Sequence, residues 1–343
     1  MTVTGIRASA VVFGYHNVGA RCLRVLLAHG IDVRLVVTHE DSPTENIWFE
    51  SIAEVAHECG IPTVTPGNPN DGQLEATLRR IAPDFLFSFY YRHMLKPSVL
   101  ATASRGAYNM HGSLLPKYRG RVPVNWAIIH GERETGASLH EMLEKPDAGR
   151  LAGQQRVPIL PNDTAHDVFA KVVVAAELVM DRALPGLVAG TANLTPQNLS
   201  QGSYFGGRKP EDGRIDWRAN AWAIHNLVRA VAPPYPGAFF TLGHRTLRVL
   251  RTHWPGRAAI PGPPTIQPAG DGLVARCIDG IERGQVSAGV DIGAARGSLG
   301  RKRVPRADLQ AAHEARSQRH GRAGPCGRLQ IAQEVGAADE IAH

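Results

Sequence analysis

The chain has 343 residues, of which 43% are apolar, and it carries a formal net charge of +7. This length exceeds the roughly 100 to 200 residues of a typical single domain, so we expect two domains and an additional segment. Every apolar run is shorter than the ~18 residues that a membrane-spanning helix needs. The first residues lead into a strand-like run rather than a signal sequence. These features exclude a membrane span and predict a soluble, cytoplasmic protein.

The positive charge is concentrated near the C-terminus. Nine Lys/Arg and two Asp/Glu lie between Arg296 and Arg328, a surplus equal to the whole net charge. The rest of the chain is neutral by formal count, which argues against nucleic acid as a partner. The four cysteines have no C-x-x-C or Cys/His ligand spacing, so we expect neither a disulfide framework nor a metal site.

The first part of the chain alternates strand and helix patterns. Short apolar runs at Ala8–Phe13, Ile31–Thr38 and Ile61–Thr65 predict strands. Helical spacing of apolar residues predicts helices between them, including Ile47–Cys59 and Gln73–Ile81. This alternation predicts an α/β fold with an open, mostly parallel Rossmann-like sheet and helices on both faces.

The centre of the sheet is predicted by two further runs. Phe85–Tyr91 is continuously apolar and aromatic, as expected for a parallel strand buried on both faces. The loop Arg92–Leu95 follows that strand, at the sheet edge where α/β proteins bind ligands. Gly106–His111 predicts the next strand, on which Asn109 and His111 point to the same face because side chains alternate.

An Asn and a His on one face of a strand suit attack on a carbonyl group. The Asn109 amide can donate to a developing oxyanion, and His111 can handle the proton of the nucleophile. Asp147 is the candidate acid that orients His111. No serine elbow or reactive cysteine stands beside His111, so the attacking group is expected to belong to the substrate. Such a pair is more often structural than catalytic, and the spacing alone leaves both interpretations open.

The run Asn109–Arg121, with Asp147-Ala-Gly149 downstream, resembles the folate-dependent formyltransferase family. The match covers the family's Asn, His, Ser-Leu-Leu-Pro and Asp signature. Within the family, the chain is most similar to the branch that acts on UDP-4-amino-4-deoxy-L-arabinose in lipid A modification. That similarity extends from Val11 to about Phe240 and includes Arg92-His93 and Tyr204–Asp212.

The resemblance implies a role for each site residue. Asn109 is the transition-state stabiliser, His111 the general acid/base, and Asp147 the residue that tunes the basicity of His111. The co-substrate would be 10-formyltetrahydrofolate, with no metal. Its implied contacts are His93, Met94, Leu95, Arg121, Leu143, Glu144, Lys145, Pro146 and Asp147. At 144–146 the arabinose branch more often carries basic or small residues, so backbone contacts are favoured there.

The resemblance also bears on the amine substrate. Methionyl-tRNA enzymes of the family share a basic, glycine-rich loop after the second strand, which would engage phosphates. The equivalent segment here, His39–Trp48, carries three acids and no Lys or Arg. A small nucleotide sugar is therefore favoured. The resemblance to the arabinose branch implies that this sugar is UDP-4-amino-4-deoxy-L-arabinose, with a role in lipid A modification and polymyxin resistance. Methionyl-tRNA or another nucleotide-linked amino sugar is the alternative, and the oligomeric state stays open.

Residues 1–200 are predicted to form the catalytic domain, ending with a long helix at Thr164–Leu184. Residues 201–270 are predicted to form a second domain, with a helix at Ala221–Val231 and strands at Gly237–Thr241 and Thr246–Leu250. In the family this part is a small β-barrel, which we expect to be incomplete here.

Residues 271–343 depart from this pattern. The chain has no aromatic residue after Trp254, and Ala, Gly and Arg dominate from Gly284 onward. A disordered basic extension explains this composition, and so does a shift of reading frame near Gly270–Gly280, which we favour slightly. Either explanation predicts that strands from about Gly272 onward are missing or poorly formed.

Overall fold

The structure is a computed structural model that describes residues 8–43 and 46–254 and the backbone of five short strands between residues 265 and 331. Strands and helices alternate through the first 190 residues. The strands are β1 (Ser9–Gly14), β2 (Asp32–Val37), β3 (Thr63–Val64), β4 (Phe85–Phe89), β5 (Gly106–His111), β6 (Arg119–Gly120), β7 (Glu134–Glu141) and β8 (Leu151–Pro158). The helices are α1 (His16–Ala28), α2 (Ile52–Glu58), α3 (Gly72–Ile81), α4 (Pro97–Leu100), α5 (Pro123–Ile129) and α6 (Ala165–Ala189).

Seven of these strands form one sheet in the order β3-β2-β1-β4-β5-β7-β8 within the described part of the chain. The first five pair in parallel, and β7 and β8 are antiparallel additions at one edge. The predicted open, mostly parallel Rossmann-like sheet is confirmed. The antiparallel edge places His140 of β7 directly opposite Asn109 of β5.

The central strands are buried on both faces because their side chains alternate between two cores. Val12 of β1 and Phe87 of β4 belong to a core that also contains residues of α1, α2 and α6. Val11 and Leu86 face the other core, which contains residues of α3 and the buried Val99 of α4. Helices therefore cover both faces, as predicted, and β4 is apolar at successive positions for this reason.

Helix α2 begins five residues later than predicted. The Ser51 hydroxyl accepts a hydrogen bond from the Glu54 backbone N–H, which caps the helix at Ile52. The preceding Trp48 and Phe49 are not helical. They pack on the His16 ring, with centroid distances of 4.7 Å and 3.8 Å. The predicted start of this helix at Ile47 was therefore wrong, and Trp48 and Phe49 are packing residues instead.

Strand β8 has no counterpart in the sequence prediction. Its residues alternate between partial and full exposure instead of forming an apolar run, as expected for a strand at the edge of a sheet. Helix α6 packs against it, and a side chain at Gly153 would contact Val179 of that helix. An edge strand with Gly and Gln at its centre has too weak a pattern to be read from sequence.

The second region begins with β9 (Tyr204–Phe205), which pairs in parallel with β6. It continues with α7 (Ala221–Ala230) and the hairpin β10 (Ala238–Leu242) and β11 (Arg245–Val249). Ile224 and Val228 of α7 share a small core with Val249. The predicted helix and hairpin strands are thus present, while the domain boundaries at residues 200 and 270 stay predictions.

The backbone continues with β12 (Thr265–Ala269), β13 (Gly272–Arg276) and β14 (Glu282–Val286) in a three-stranded antiparallel sheet. The short strands β15 (Gly289–Val290) and β16 (Gln330–Ile331) pair in parallel. Strands β13 and β14 lie where the sequence predicts that strands are missing or poorly formed, and the incompleteness of the barrel stays a prediction. Each of these strands is five residues long, which is too short to display a clear alternation of apolar and polar residues. Most of residues 291–343, including the basic stretch, lies outside the described residues, and the reading-frame explanation stays a prediction.

Within the residues that the structure describes, no helix is both long and apolar enough to cross a membrane.

Candidate active site

Asn109 and His111 both line a cavity of about 450 Å³ at the carboxyl ends of β1, β4 and β5. This is where ligands bind in open α/β sheets. The walls come from the loops that follow these strands, from the segment 120–125 and from the turn after β7. The prediction that the two side chains project together into a crevice is confirmed.

His111 is held in one tautomer by the backbone. Its side chain is only 7% exposed, and Nε2 lies 2.7 Å from the carbonyl oxygen of Tyr118. A carbonyl only accepts, so Nε2 carries a proton. Nδ1 is then the nitrogen able to take a second proton, and it lies 3.6 Å from Oδ1 of Asp147. Nδ1, the nitrogen of His111 that can act as a base, therefore lies beside a carboxylate that can stabilise the charged form of the ring.

Asp147 lies in a turn with a left-handed backbone (φ 51°). Its Oδ2 accepts a hydrogen bond of 2.8 Å from the backbone N–H of Gly120. Gln197 donates to the backbone carbonyl of Asp147, over 3.1 Å, and to that of Gly149. Burial alone would raise the pKa of Asp147, but His111, His140 and the Gly120 N–H outweigh it and hold the pKa well below its usual range. The carboxylate is therefore ionised at neutral pH.

His140 is a site residue that the sequence did not reveal. It is 2% exposed, and its Nδ1 lies 2.7 Å from the backbone carbonyl of Glu141. Nε2 lies 3.1 Å from Nδ2 of Asn109 and 3.3 Å from Oδ1 of Asp147. The position of His140 opposite Asn109 depends on the antiparallel register of β7, which leaves no signal in the local sequence.

One side of the cavity is formed by the apolar residues expected to contact folate. Met94 and Leu143 are 57% and 51% exposed, and both line the cavity. The other predicted contacts that line it are His93, Leu95, Arg121, Pro146 and Asp147. Glu144 and Lys145 are exposed at the tip of the turn and do not line it, so the structure does not bring these two side chains into the site.

The loop that carries His93 to Leu95 is fixed by two side chains from elsewhere in the chain. Asn70 donates to the carbonyl of Met94 over 2.8 Å and accepts from the backbone N–H of Lys96 over 2.7 Å. His39 accepts from the backbone N–H of Arg92 over 3.0 Å and stacks on Tyr91. Burial lowers the pKa of His39 to about 4, which keeps its ring neutral and able to accept.

The opposite wall is aromatic and polar. The Tyr15 hydroxyl donates to Asp41 over 2.8 Å, and the guanidinium of Arg92 lies 4.4 Å from the centre of the Tyr15 ring. His16 also lines the cavity, and burial lowers its pKa to about 3, so this ring is neutral. The acidic segment His39–Trp48 therefore starts at the rim of the cavity, where Asp41 accepts the hydrogen bond from Tyr15.

In the described ranges, no cluster of three or more His, Cys, Asp or Glu side chains has the geometry of a metal site. The Asn109, His111 and Asp147 constellation can perform chemistry without one, because it combines an amide donor, a proton acceptor and a buried carboxylate.

The chain resembles solved structures over most of its length. An N-formyltransferase from Helicobacter canadensis, in complex with folinic acid and dTDP-3-aminofucose, is 20% identical and matches over 81% of this chain and 98% of its own (TM-score 0.66). The sugar 3N-formyltransferase WlaRD, with dTDP and 5-N-formyl-THF, is 19% identical over 81% and 97% (TM-score 0.64). A sugar N-formyltransferase from a Shewanella species is 15% identical over 69% and 93% (TM-score 0.56). At these identities the likeness establishes the fold.

Family models give the stronger result. The formyl transferase model matches residues 9–184, and the formyl transferase C-terminal domain model matches residues 208–285. The first alone spans more than half of the chain and contains Asn109, His111 and Asp147. The family resemblance found in the sequence is thereby confirmed, and the chain belongs to the formyl transferase family.

Proposed function

We propose that this formyltransferase transfers a formyl group from 10-formyltetrahydrofolate to the 4-amino group of UDP-4-amino-4-deoxy-L-arabinose. The observation that carries the proposal is the partly buried Asp147 carboxylate beside Nδ1 of His111, with Asn109 on the same face of β5. This arrangement suits attack by an amine on a formyl carbon, since it supplies both a base and an oxyanion donor.

The folate, when bound, would supply the formyl carbon that the amine attacks. The bond between this carbon and a nitrogen of the folate breaks, and that nitrogen leaves with a proton. The amide N–H of Asn109 can donate to the formyl oxygen as charge develops there. His111 can take the proton of the amine at Nδ1, because Nε2 already donates to the Tyr118 carbonyl. The Asp147 carboxylate then stabilises the resulting imidazolium, and His111 returns the proton to the leaving nitrogen.

The folate-side wall fits a flat heteroaromatic ring. Met94 and Leu143 are exposed apolar side chains, and Leu95 and Pro146 line the same cavity. Apolar side chains beside a few fixed polar groups are typical of small-molecule sites. Leu143, Pro146 and Asp147 of the 143–147 turn line the cavity, whereas Glu144 and Lys145 do not.

The substrate assignment is supported by the charges at the rim. Arg92 lines the cavity and suits the diphosphate of a nucleotide sugar. Glu40 and Asp41 lie at the start of the segment His39–Trp48, where acidic side chains would repel the phosphates of a tRNA acceptor stem. A lipid A modification that confers polymyxin resistance follows as the biological role if the arabinose nucleotide is the substrate.

A side-by-side assay tests this proposal. The chain is supplied with 10-formyltetrahydrofolate and, separately, with UDP-4-amino-4-deoxy-L-arabinose, a dTDP-linked 3-amino sugar and methionyl-tRNA, and formylated product is measured by mass spectrometry. We expect product with the arabinose nucleotide at the highest kcat/KM. Product from the dTDP-sugar alone would move the assignment to another nucleotide-linked amino sugar, and product from the tRNA alone would overturn the small-molecule substrate.

A further inference from the structure

The environment of His140 contains a conflict among hydrogen-bonding groups. Its Nδ1 faces a backbone carbonyl at 2.7 Å and therefore carries a proton. Its Nε2 faces a carboxylate oxygen of Asp147 at 3.3 Å and the amide nitrogen of Asn109 at 3.1 Å. The carboxylate requires a proton on Nε2, whereas an amide N–H requires a lone pair there. One ring nitrogen cannot serve both.

The hydrogen-bond donors that the Asp147 carboxylate requires decide between the two states of His140. Its Oδ2 already receives the N–H of Gly120. Its Oδ1 lies 3.6 Å from Nδ1 of His111, which is too long for a hydrogen bond. Among the described contacts, His140 is the donor within reach of Oδ1. With a neutral His140, the lone pair of Nε2 would face those of the Asp147 oxygen at 3.3 Å, and leaving an oxygen of this partly buried carboxylate without a donor is costly.

The Asn109 amide can adapt to a protonated His140. A half-turn of the carboxamide exchanges its oxygen and nitrogen without moving the backbone, and the two ends are nearly equal in size. With Oδ1 turned to His140, both N–H bonds of Nδ2 become free for the cavity. With Nδ2 turned to His140, one N–H bond is already used. The orientation of the catalytic amide therefore depends on the proton on His140.

We propose that His140 is a positioning residue: as an imidazolium held between the Glu141 carbonyl and the Asp147 carboxylate, it binds Oδ1 of Asn109 and so turns the Asn109 amino group toward the formyl oxygen. The titratable groups that bear on it are Asp147 directly and His111 through the same carboxylate oxygen. The carboxylate of Glu141 is paired with Arg150 at 2.6 Å. Arg92, His93 and Arg121 line the same cavity. The catalytic part of this inference rests on the proposed formyl transfer, whereas the protonation state of His140 does not.

Nuclear magnetic resonance of the wild-type chain with ¹⁵N-labelled histidines tests the protonation state without any substrate. We expect both ring nitrogens of His140 to be protonated at neutral pH and Nε2 to lose its proton in Asp147→Asn. His225, a buried histidine with a lowered pKa of about 4, is the internal control and should show one unprotonated nitrogen. An unprotonated Nε2 on His140 in the wild-type chain would overturn the proposal, whatever the substrate.

A double-mutant cycle tests the action through Asn109. We expect His140→Gln to lower kcat about 10- to 100-fold, with KM for the folate changed less than about twofold. In an Asn109→Ala background the same change should lower kcat by no more than about threefold, because the amide it positions is gone. Equal effects of His140→Gln in the two backgrounds would refute the positioning role. Should no amine be formylated, the proposed function fails, and the resonance experiment still decides the state of His140.

Discussion

At the scale of single residues, Asp147 acts on the charge of His111. Replacing Asp147 with Asn keeps the shape but removes the negative charge 3.6 Å from Nδ1. We expect kcat to fall about 100-fold, within the range for general acid–base groups. A carboxylate stabilises positive charge on a neighbouring imidazole, so its loss should change kcat/KM across a series of pH values spanning neutrality.

The chain offers a matched control for this change. Asp181 and His29 form an ion pair of 2.8 Å on the surface, with Asp181 59% exposed. Asp181→Asn makes the same chemical change away from the cavity and should leave both kcat and the pH profile unaltered. A pH profile of Asp147→Asn that superimposes on the wild type across neutrality would contradict the role of Asp147.

Tyr90 and Gly112 are in close contact, and both line the cavity. The buried Tyr90 hydroxyl has no hydrogen-bond partner among the described residues, and a Cβ at Gly112 would overlap it. Gly112→Ala should cost about 1 to 3 kcal/mol in the free energy of unfolding because it overpacks this contact. Tyr90→Phe removes the hydroxyl and should be neutral or stabilising by up to about 1 kcal/mol.

The two changes should not be additive, and chemical denaturation of the single and double variants measures this. In the Tyr90→Phe background, Gly112→Ala should cost at least about 1 kcal/mol less than in the wild type. Gly67→Ala is the control, because a Cβ there meets no atom within 4 Å. Additive effects of the two changes would show that the hydroxyl is not what excludes a side chain at position 112.

At the scale of secondary-structure elements, Asn70 connects the start of α3 to the loop on the folate side. It binds the Met94 carbonyl and the Lys96 N–H at the same time. We propose that this loop binds the folate without touching the reacting atoms. Asn70→Ala should therefore loosen the loop and raise KM for 10-formyltetrahydrofolate about 10-fold, while kcat changes less than about threefold. Steady-state kinetics with varied folate measures both constants.

Asn193→Ala is the matched control for Asn70. Asn193 is exposed after α6, so KM should be unaltered by the change. A fall in kcat with an unchanged KM for Asn70→Ala would place the effect of this loop on the chemical step instead.

The same scale shows what the sequence could predict. The paired positions Asn109 and His111 follow from the two-residue period of a single strand, and β4 from one apolar run. His140 and Asn70 could not be found, because the first depends on the antiparallel register of β7 and the second on the approach of a loop 24 residues away. Local periodicity carries no information about such pairings.

Backbone strain was also invisible in the sequence. Four residues that line the cavity have a positive φ although they are not glycine: His16, Tyr90, Val122 and Asp147. Such conformations are disfavoured for side chains of this size, and they concentrate at functional sites that the surrounding fold holds in place. Propensity rules assign these positions to ordinary loops or helix starts, which is why the exact course of the cavity wall required the structure.

At the scale of the whole molecule, buried neutral histidines couple stability to pH. His225 lies between the Thr252 hydroxyl and the Pro161 carbonyl, so it joins α7 to the segment before α6. Burial, assisted by Arg229, lowers its pKa to about 4 from an ordinary value of 6.5. Between these two values the unfolded chain binds a proton that the folded chain does not. The free energy of unfolding should therefore fall as pH drops from about 6.5 to about 4, by up to about 1.4 kcal/mol per pH unit for one such histidine.

Replacing His225 removes the group that binds a proton on unfolding and so makes the free energy of unfolding depend on pH. Denaturation of His225→Gln at a series of pH values should give a slope of unfolding free energy against pH that is shallower than that of the wild type between about pH 4 and 6.5, by up to one proton. His16 and His39, whose pKa values are also lowered by burial, should account for part of the slope that remains. His57→Gln makes the same change at an exposed position of α2 and should keep the wild-type slope. Equal slopes for His225→Gln and the wild type would contradict this prediction, because they would mean that the folded chain accommodates a charged His225. The pH dependence of stability would then have to originate at the histidines that line the cavity.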